Sequence, residues 1–266
     1  MKIRSSLLFR ILFSTLVLTP IANADPGPDH RSSDHRSFDG FYLGGQVGGT
    51  QHQMQTDFPS ITWTVNVKDS AVKRTNKTYD WIYGLYAGYG RNISGFYCGI
   101  EVTLDHDTAR PEASYDIQTI KRGVVTGQYP TTLDTTYQRG VVFGLTPRLG
   151  VVIAQDHLIY VKCGIERSRD KAKVHHQWYE VDARGFMIEG TGASKTMSVS
   201  KTQYVFVPGI GYERAFGNCL ARIEYGYNPG ATLKTPDLVT NAQTKQTPAT
   251  VKYSAHIVKF GLAYQF

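Results

Sequence analysis

The sequence predicts an all-β fold, an eight-stranded antiparallel transmembrane β-barrel with short periplasmic turns and four long extracellular loops. Three observations predict it. Apolar and polar residues alternate in eight segments, short and long connections alternate between these segments, and glycine dominates the polar parity. The composition agrees, because 17 Tyr, 12 Phe and 26 Gly among 266 residues suit strands better than helices.

The N-terminal segment is typical of an export signal. Lys2 and Arg4 precede the apolar run LLFRILFSTLVL, and Ala22 and Ala24 frame an A-x-A cleavage site. A transmembrane helix is the rival interpretation, but the apolar run is short for one. We therefore expect three parts: a cleaved signal peptide at 1–24, a flexible N-terminal segment at 25–37 and a barrel domain at 38–266.

Charge and cysteine content exclude some classes of protein. Cleavage would remove three basic residues and no acid, which lowers the formal net charge from +7 to about +4. The remaining basic residues are scattered among acidic ones, so we expect no nucleic-acid partner. The odd number of cysteines (Cys98, Cys163 and Cys219) argues against a full disulfide framework, and we expect free thiols.

The first four predicted strands each place apolar residues on one parity, with glycine, tyrosine or polar residues on the other. The segment 79–90 is the most regular, because aromatic or aliphatic residues occupy six successive alternate positions. The apolar parities hold Phe41, Leu43 and Val47 in 40–50, Tyr79 to Tyr89 in 79–90, Phe96 to Leu104 in 95–105, and Val141 to Val151 in 139–151.

The last four predicted strands follow the same rule. The sixth is the least regular, because Val205 and Val207 lie on the parity opposite to its other apolar residues. The apolar parities hold Ile159 to Ile165 in 158–167, Tyr204, Phe206, Ile210 and Tyr212 in 203–214, Ala221 to Tyr227 in 220–228, and Val258 to Phe266 in 256–266.

The connections show which environment surrounds the barrel. RNIS, VIAQDH and AFGNC are hairpin connections, whereas the others span 52–78, 108–136, 171–199 and 230–250. A soluble sandwich has no reason to place every long loop at one end, but an outer-membrane barrel does. Each segment also supplies the roughly 9–11 residues that a tilted membrane strand needs.

Three short motifs resemble those of small outer-membrane barrels, the OmpA/OmpX-like, opacity-type and porin-family domains. They are the start FDGFYLGGQVGG, the penultimate strand EYGYN and the end GLAYQF, and the resemblance spans about 38–266. It implies that Gly261, Tyr264 and Phe266 form the C-terminal signal that the barrel-insertion machinery recognises. It also implies periplasmic chaperones and outer-membrane lipid as partners.

Six charged residues on the polar parity form the strongest constellation. An eight-stranded barrel has room inside for side chains and little else, so charges there must pair. A balanced plug is the structural interpretation and a gated ion pathway the functional one; we favour the plug. The residues are Glu101, Arg148, Lys162, Glu166, Arg222 and Glu224.

Catalytic and metal sites find little support. Alternation would turn Asp105 inward and His106 outward, and His175 and His176 lie in a predicted loop without a partner at a telling spacing. No Ser–His–acid set falls at one rim. We therefore expect no enzyme, no catalytic residue, no metal and no cofactor.

Two of the long connections carry apolar residues in segments that should face water. Trp63 in the first, and Trp178, Tyr179 and Phe186 in the third, are candidate contact residues for a host or surface ligand. Alternatively, the flanking strands continue past the membrane as a protruding sheet in which these residues pack together.

The sequence therefore predicts an exported protein of the cell outer membrane. Its expected role is structural, adhesive or partner-binding and is carried by the extracellular loops. A small pore for ions or solutes is the first alternative, and a lipid-modifying barrel enzyme is the second.

Overall fold

A computed structural model describes residues 38–58, 72–117, 131–178, 193–234 and 250–266. The expected signal peptide and flexible N-terminal segment lie outside them. In the part described, no helix is long and apolar enough to span a membrane. The strands are β1 (Gly40–Phe58), β2 (Val72–Ile93), β3 (Phe96–Asp107), β4 (Glu112–Ile117), β5 (Thr131–Gln138), β6 (Gly140–Ile153), β7 (His157–Trp178), β8 (Ala193–Phe216), β9 (Cys219–Asn228), β10 (Thr232–Lys234) and β11 (Thr250–Gln265).

Eight of these strands form a closed antiparallel ring. The order around it is β1, β2, β3, β6, β7, β8, β9 and β11, and each pairs with the next. The last strand returns to the first, in a ladder that runs from Tyr42 opposite Gln265 to Asp57 opposite Thr250. Closure leaves the membrane-crossing part without an edge strand, as a bilayer requires. The predicted fold class is confirmed.

The short connections all lie at one end of the ring. In the β2–β3 turn, Ser94 and Gly95 both have positive φ (53° and 90°), which matches the twist of tight hairpins. Ala154 and Gln155 adopt positive φ in the β6–β7 turn, and Gly217 does so in the β8–β9 turn. By the rule for outer-membrane barrels, this end is periplasmic.

At the other end, several strands are longer than a membrane requires. β2 and β7 have 22 residues and β8 has 24, roughly twice the 9–11 needed. The predicted loops 52–78, 108–136, 171–199 and 230–250 therefore contain strand. β4 and β5 pair with each other and β5 pairs with the outer part of β7, while β10 pairs with β11. This is the sequence-predicted alternative of strands that continue beyond the membrane.

The distribution of polarity is inverted relative to a soluble protein. Within a belt around the ring, all eight strands carry exposed apolar side chains on the outside, as at Leu262 with 69% exposure, whereas Arg148 in the interior is 0% exposed. Such a belt avoids water only in lipid, because exposed apolar surface is costly in water. The fold is that of an outer-membrane β-barrel.

Candidate functional site

An aromatic layer fills the periplasmic end of the barrel. It forms because tyrosines occupy inward positions near the short turns, opposite glycines that leave room for their rings. A Cβ added at Gly88, for example, would lie 2.3 Å from the Tyr42 hydroxyl. The layer consists of Phe38, Tyr42, Tyr86, Tyr97, Leu158, Tyr160, Ala215, Leu220 and Ala263.

Arg148 lies on the aromatic layer and is completely buried. Its guanidinium carbon is 3.8 Å from the centroid of the Tyr160 ring. Nη1 donates to the Tyr42 hydroxyl at 2.9 Å and to Glu101 at 3.4 Å, and Nη2 donates to Glu213 at 2.7 Å. Two carboxylates and an aromatic face thus compensate for the loss of water around this charge.

Arg222 shares Glu101 with Arg148. It donates to both Glu101 oxygens, with Nη2–Oε1 at 3.1 Å, and to Gln46 Oε1 at 2.8 Å. Its guanidinium carbon lies 3.4 Å from the centroid of the Tyr86 ring. Glu101 is therefore the bridge between the two arginines.

Further pairs continue the charged layer toward the extracellular end. Lys162 donates to Glu224 at 2.5 Å, and Lys259 donates to Asp105 at 2.5 Å. Glu166 accepts from Arg139 at 2.6 Å. Arg222 Nη1 also lies 3.7 Å from Glu224 Oε1, so the structure joins Glu101, Arg148, Arg222, Glu224 and Lys162 in one network. Glu166 lies beside this network and pairs with Arg139.

Four members of this layer are not among the six predicted charges: Asp105 and Lys259, which lie on the inward parity of their strands, and Glu213 and Arg139. Glu213 lies on the inward parity of β8, the strand whose faces are the least distinct. Arg139 precedes Gly140, whose φ of 73° breaks the alternation and turns Arg139 inward. Gly140, directly before a regular strand, was the signal in the sequence that could have identified Arg139 as an inward residue.

A third, mainly apolar layer lies beyond the membrane belt. Tyr137 and Tyr253 stack with ring centroids 4.5 Å apart. Tyr137 donates to Asp170 at 2.6 Å, and burial raises the pKa of Asp170 above its usual value although this bond opposes the shift. The layer contains Met54, Ile82, Tyr137, Ala172, Leu233, Val251, Tyr253, Ala255 and Ile257.

Among the described residues, the side chains of these three layers occupy the barrel interior and are buried. A cavity of about 10 Å³, room for about one water molecule, lies between the charged and outer layers. Lys162, Glu166, Glu224 and Lys259 line it together with Val207, Gly226 and Ile257. The described residues therefore form a filled barrel, in which ions would have to displace buried, paired side chains.

The described residues include few groups of histidines and acids that could serve catalysis or metal binding. In the described part, no three His, Cys, Asp or Glu side chains are placed to hold a metal ion. His52 lies between Thr50 and Asp107, but one nitrogen, Nε2, contacts both, at 2.5 Å and 3.3 Å. A nucleophile–His–acid triad uses different ring nitrogens for its two partners. All three residues are also buried, away from any substrate.

Alternation separates the other histidines and acids as expected. Asp105 points inward, whereas His106 points outward, 5.4 Å from the ring centroid of Tyr83. His175 is not in a loop but on β7, where Nδ1 contacts the Thr196 hydroxyl at 2.9 Å. The three cysteines are free and face outward.

The C-terminal motif combines packing with exposure to lipid. Gly261 lies under Arg222, and a Cβ there would be 2.8 Å from its Nε. Tyr264 and Phe266 contact each other edge to face, with centroids 5.2 Å apart, on the outward surface. Recognition of this motif by the insertion machinery stays a prediction.

The loop contact candidates fall mostly outside the described residues. Trp63, Tyr179 and Phe186 lie in undescribed segments, and Trp178 is the last residue of β7.

Comparisons of the chain with known proteins found similar structures but no similar family or curated sequence. No protein-family model and no curated protein matches the chain. Neisserial surface protein A is 12% identical, over 86% of this chain and 98% of its own, with a TM-score of 0.35. The attachment invasion locus protein Ail of Yersinia pestis is 14% identical over 85% and 99%, with a TM-score of 0.35.

The outer membrane protease OmpT from Escherichia coli is 11% identical over 86% of this chain and 98% of its own, with a TM-score of 0.34. The resemblance stated from the sequence agrees with the closed eight-stranded ring and its apolar outer belt, and at these identities and TM-scores the three proteins add no argument to it. Their names include surface proteins and a protease, and similarity at this level carries no argument for either activity in this chain.

Proposed function

We propose that this chain is an exported surface protein of a Gram-negative outer membrane. In this proposal, the signal peptide is cleaved, and the filled barrel anchors strands that extend outside the cell. Their role is structural, adhesive or partner-binding. One observation carries the proposal: the strands continue far beyond the membrane belt, while the interior of the belt is packed with paired charges and tyrosines.

The β7–β8 hairpin supports this most clearly. Its lipid-facing residues end at Ile165 on β7 and begin at Tyr204 on β8, yet the ladder extends to Trp178 opposite Ala193. The part of the hairpin beyond the lipid-facing residues would not help to hold the barrel in the membrane. A rigid extension, in contrast, can present the hairpin tip to a partner at low entropic cost.

The pairing of residues across the ladders shows where each hairpin tip can be removed without shifting the strands that flank it. His175 lies opposite Thr196, and Phe58 lies opposite Val72, so an Asn-Gly turn can replace residues 176–195 or 59–71 without moving either strand. Replacement of 118–130, between the paired Ile117 and Thr131, is the matched control.

Cells displaying each variant would be tested for adhesion to host cells and ligand-coated surfaces. All three variants should insert, as shown by heat-modifiable gel mobility. Excision of 176–195 and 59–71 should abolish adhesion, whereas excision of 118–130 should preserve it. Normal insertion with adhesion undiminished by the first two excisions would refute the proposal.

A further inference from the structure

The outer face of β7 carries a row of cations immediately above the membrane belt. Arg167, Arg169, Lys171 and Lys173 occupy consecutive outward positions and are all exposed. We call these four residues the basic stripe. The side chains between them point inward and are buried, so the alternation fixes the direction of the stripe.

The stripe is not neutralised by neighbouring acids. Across the described residues, none of its four cations forms an ion pair, and Arg169 Nε donates to the Ser200 hydroxyl at 3.1 Å. On the opposite side of the barrel, in contrast, Lys252 lies 3.6 Å from Asp57. Four like charges about 7 Å apart repel one another unless a polyanion lies over them.

Hydroxyl and amide groups flank the stripe. On β8, Thr202, Ser200 and Ser198 lie opposite Arg169, Lys171 and Lys173 and are exposed. On β5, Gln138 and Thr136 lie opposite the two lysines. These groups can exchange hydrogen bonds with sugar hydroxyls while the cations contact phosphate or carboxylate.

The position of the basic stripe relative to the membrane indicates which kind of anionic lipid it could bind. Arg167 is the first outward residue after Ile165, the last apolar one on β7, so the stripe is continuous with the lipid-facing surface. From Arg167 to Lys173 the strand rises about 20 Å, or about 15 Å along the membrane normal at the usual tilt. A phospholipid with one phosphate would contact only the lowest cation.

We propose that the basic stripe binds a phosphorylated glycolipid of the outer leaflet, of the lipopolysaccharide class. Its acyl chains lie on the apolar belt, its lipid-proximal phosphates contact Arg167 and Arg169, and its anionic core sugars contact Lys171 and Lys173. The inference goes beyond partner binding at the hairpin tips, because it concerns the sides of the extension. It requires only that this end of the barrel faces outward.

Purified protein in detergent micelles would be titrated with lipopolysaccharide that retains its phosphorylated core. Bound glycolipid raises the temperature at which the folded gel band is lost, because it binds only the folded state. The test variant changes all four stripe residues to Gln. The matched control changes Lys73, Lys77, Lys234 and Lys252 to Gln, which removes the same charge from exposed positions on the other side.

The wild type and the control should bind with similar affinity, and the test variant about tenfold or more weakly. Phosphatidylglycerol and dephosphorylated lipopolysaccharide should give smaller shifts. Equal losses in both variants, or equal shifts with phosphatidylglycerol, would overturn the proposal. A soluble sulfated polysaccharide that shifts the wild type as strongly would also overturn it. If the fourfold variant does not fold, the pairs Arg167→Gln/Arg169→Gln and Lys171→Gln/Lys173→Gln each test half of the stripe.

Discussion

Arg148, Arg222 and Glu101 are the residues on which the packing of the barrel interior depends most. Each is essentially inaccessible to solvent, and each arginine is held between a carboxylate and a tyrosine ring. Removing one partner would leave the others charged in a dry interior, which costs more than the pair itself contributes.

A double-mutant cycle tests this directly. Arg148→Ala and Glu101→Ala should each lower the free energy of unfolding by about 3–5 kcal/mol, and the double variant should lose less than the sum. The measurement is urea unfolding in lipid vesicles. The exposed Arg91→Ala is the control and should change little. Strictly additive losses would mean that the two side chains do not interact.

Two glycines of β1 provide a matched test of how closely the strands approach. A Cβ at Gly48 would lie 2.1 Å from the Val258 carbonyl oxygen, whereas one at Gly45 would meet nothing closer than 3.9 Å. Gly48→Ala should therefore lower both the folded yield and the free energy of unfolding. Gly45→Ala should change the free energy of unfolding by less than about 0.5 kcal/mol. Equal behaviour of both variants in urea unfolding would contradict the close approach.

Sequence reasoning identified the inward residues where the two-residue period is unbroken. Glu101, Arg148 and Arg222 follow it because lipid outside and a narrow interior impose opposite chemistry on successive positions. Arg139 does not, because Gly140 resets the alternation. Nor does alternation specify partners: it placed Glu166 among six inward charges, but the partner of Glu166 is Arg139, which was not among them.

At the scale of strands, the extension of β7 was predicted only as an alternative to a solvated loop, because its sequence has no clear strand pattern. From Ser168 to Val174 the inward residues are small or polar and the outward ones are cationic, so no apolar parity marks a strand. The contacts that hold this strand come from the ladder with β8 and from the outer apolar layer. Such long-range pairing leaves no local pattern in the sequence.

The C-terminal strand carries the prediction about assembly. Phe266 donates its N–H to the Phe41 carbonyl at 2.9 Å, and its ring is 74% exposed to the lipid side. Phe266→Ala retains the backbone bond but removes the aromatic signal, so assembled barrel should decrease and periplasmic aggregate increase. Heat-modifiable gel mobility reports both. Phe216→Ala, an exposed aromatic change near the same end, is the control and should assemble normally. Equal yields of the two variants would remove the special role of the terminal residue.

At the scale of the whole molecule, three interior layers follow one another from the periplasmic to the extracellular end. They are aromatic, charged and apolar, and the described side chains of the aromatic and apolar layers are buried. This order of layers underlies the proposal that the barrel anchors the strands outside the membrane and does not conduct.

The most direct test of this account is single-channel recording of the refolded protein in planar bilayers. The filled interior predicts no discrete openings in the wild type, and it predicts openings once Arg148, Glu101 and Arg222 are replaced together by alanine in a variant that still inserts. Regular conductance steps from the wild-type protein would contradict it, because ions would then cross a barrel whose interior is occupied by paired side chains.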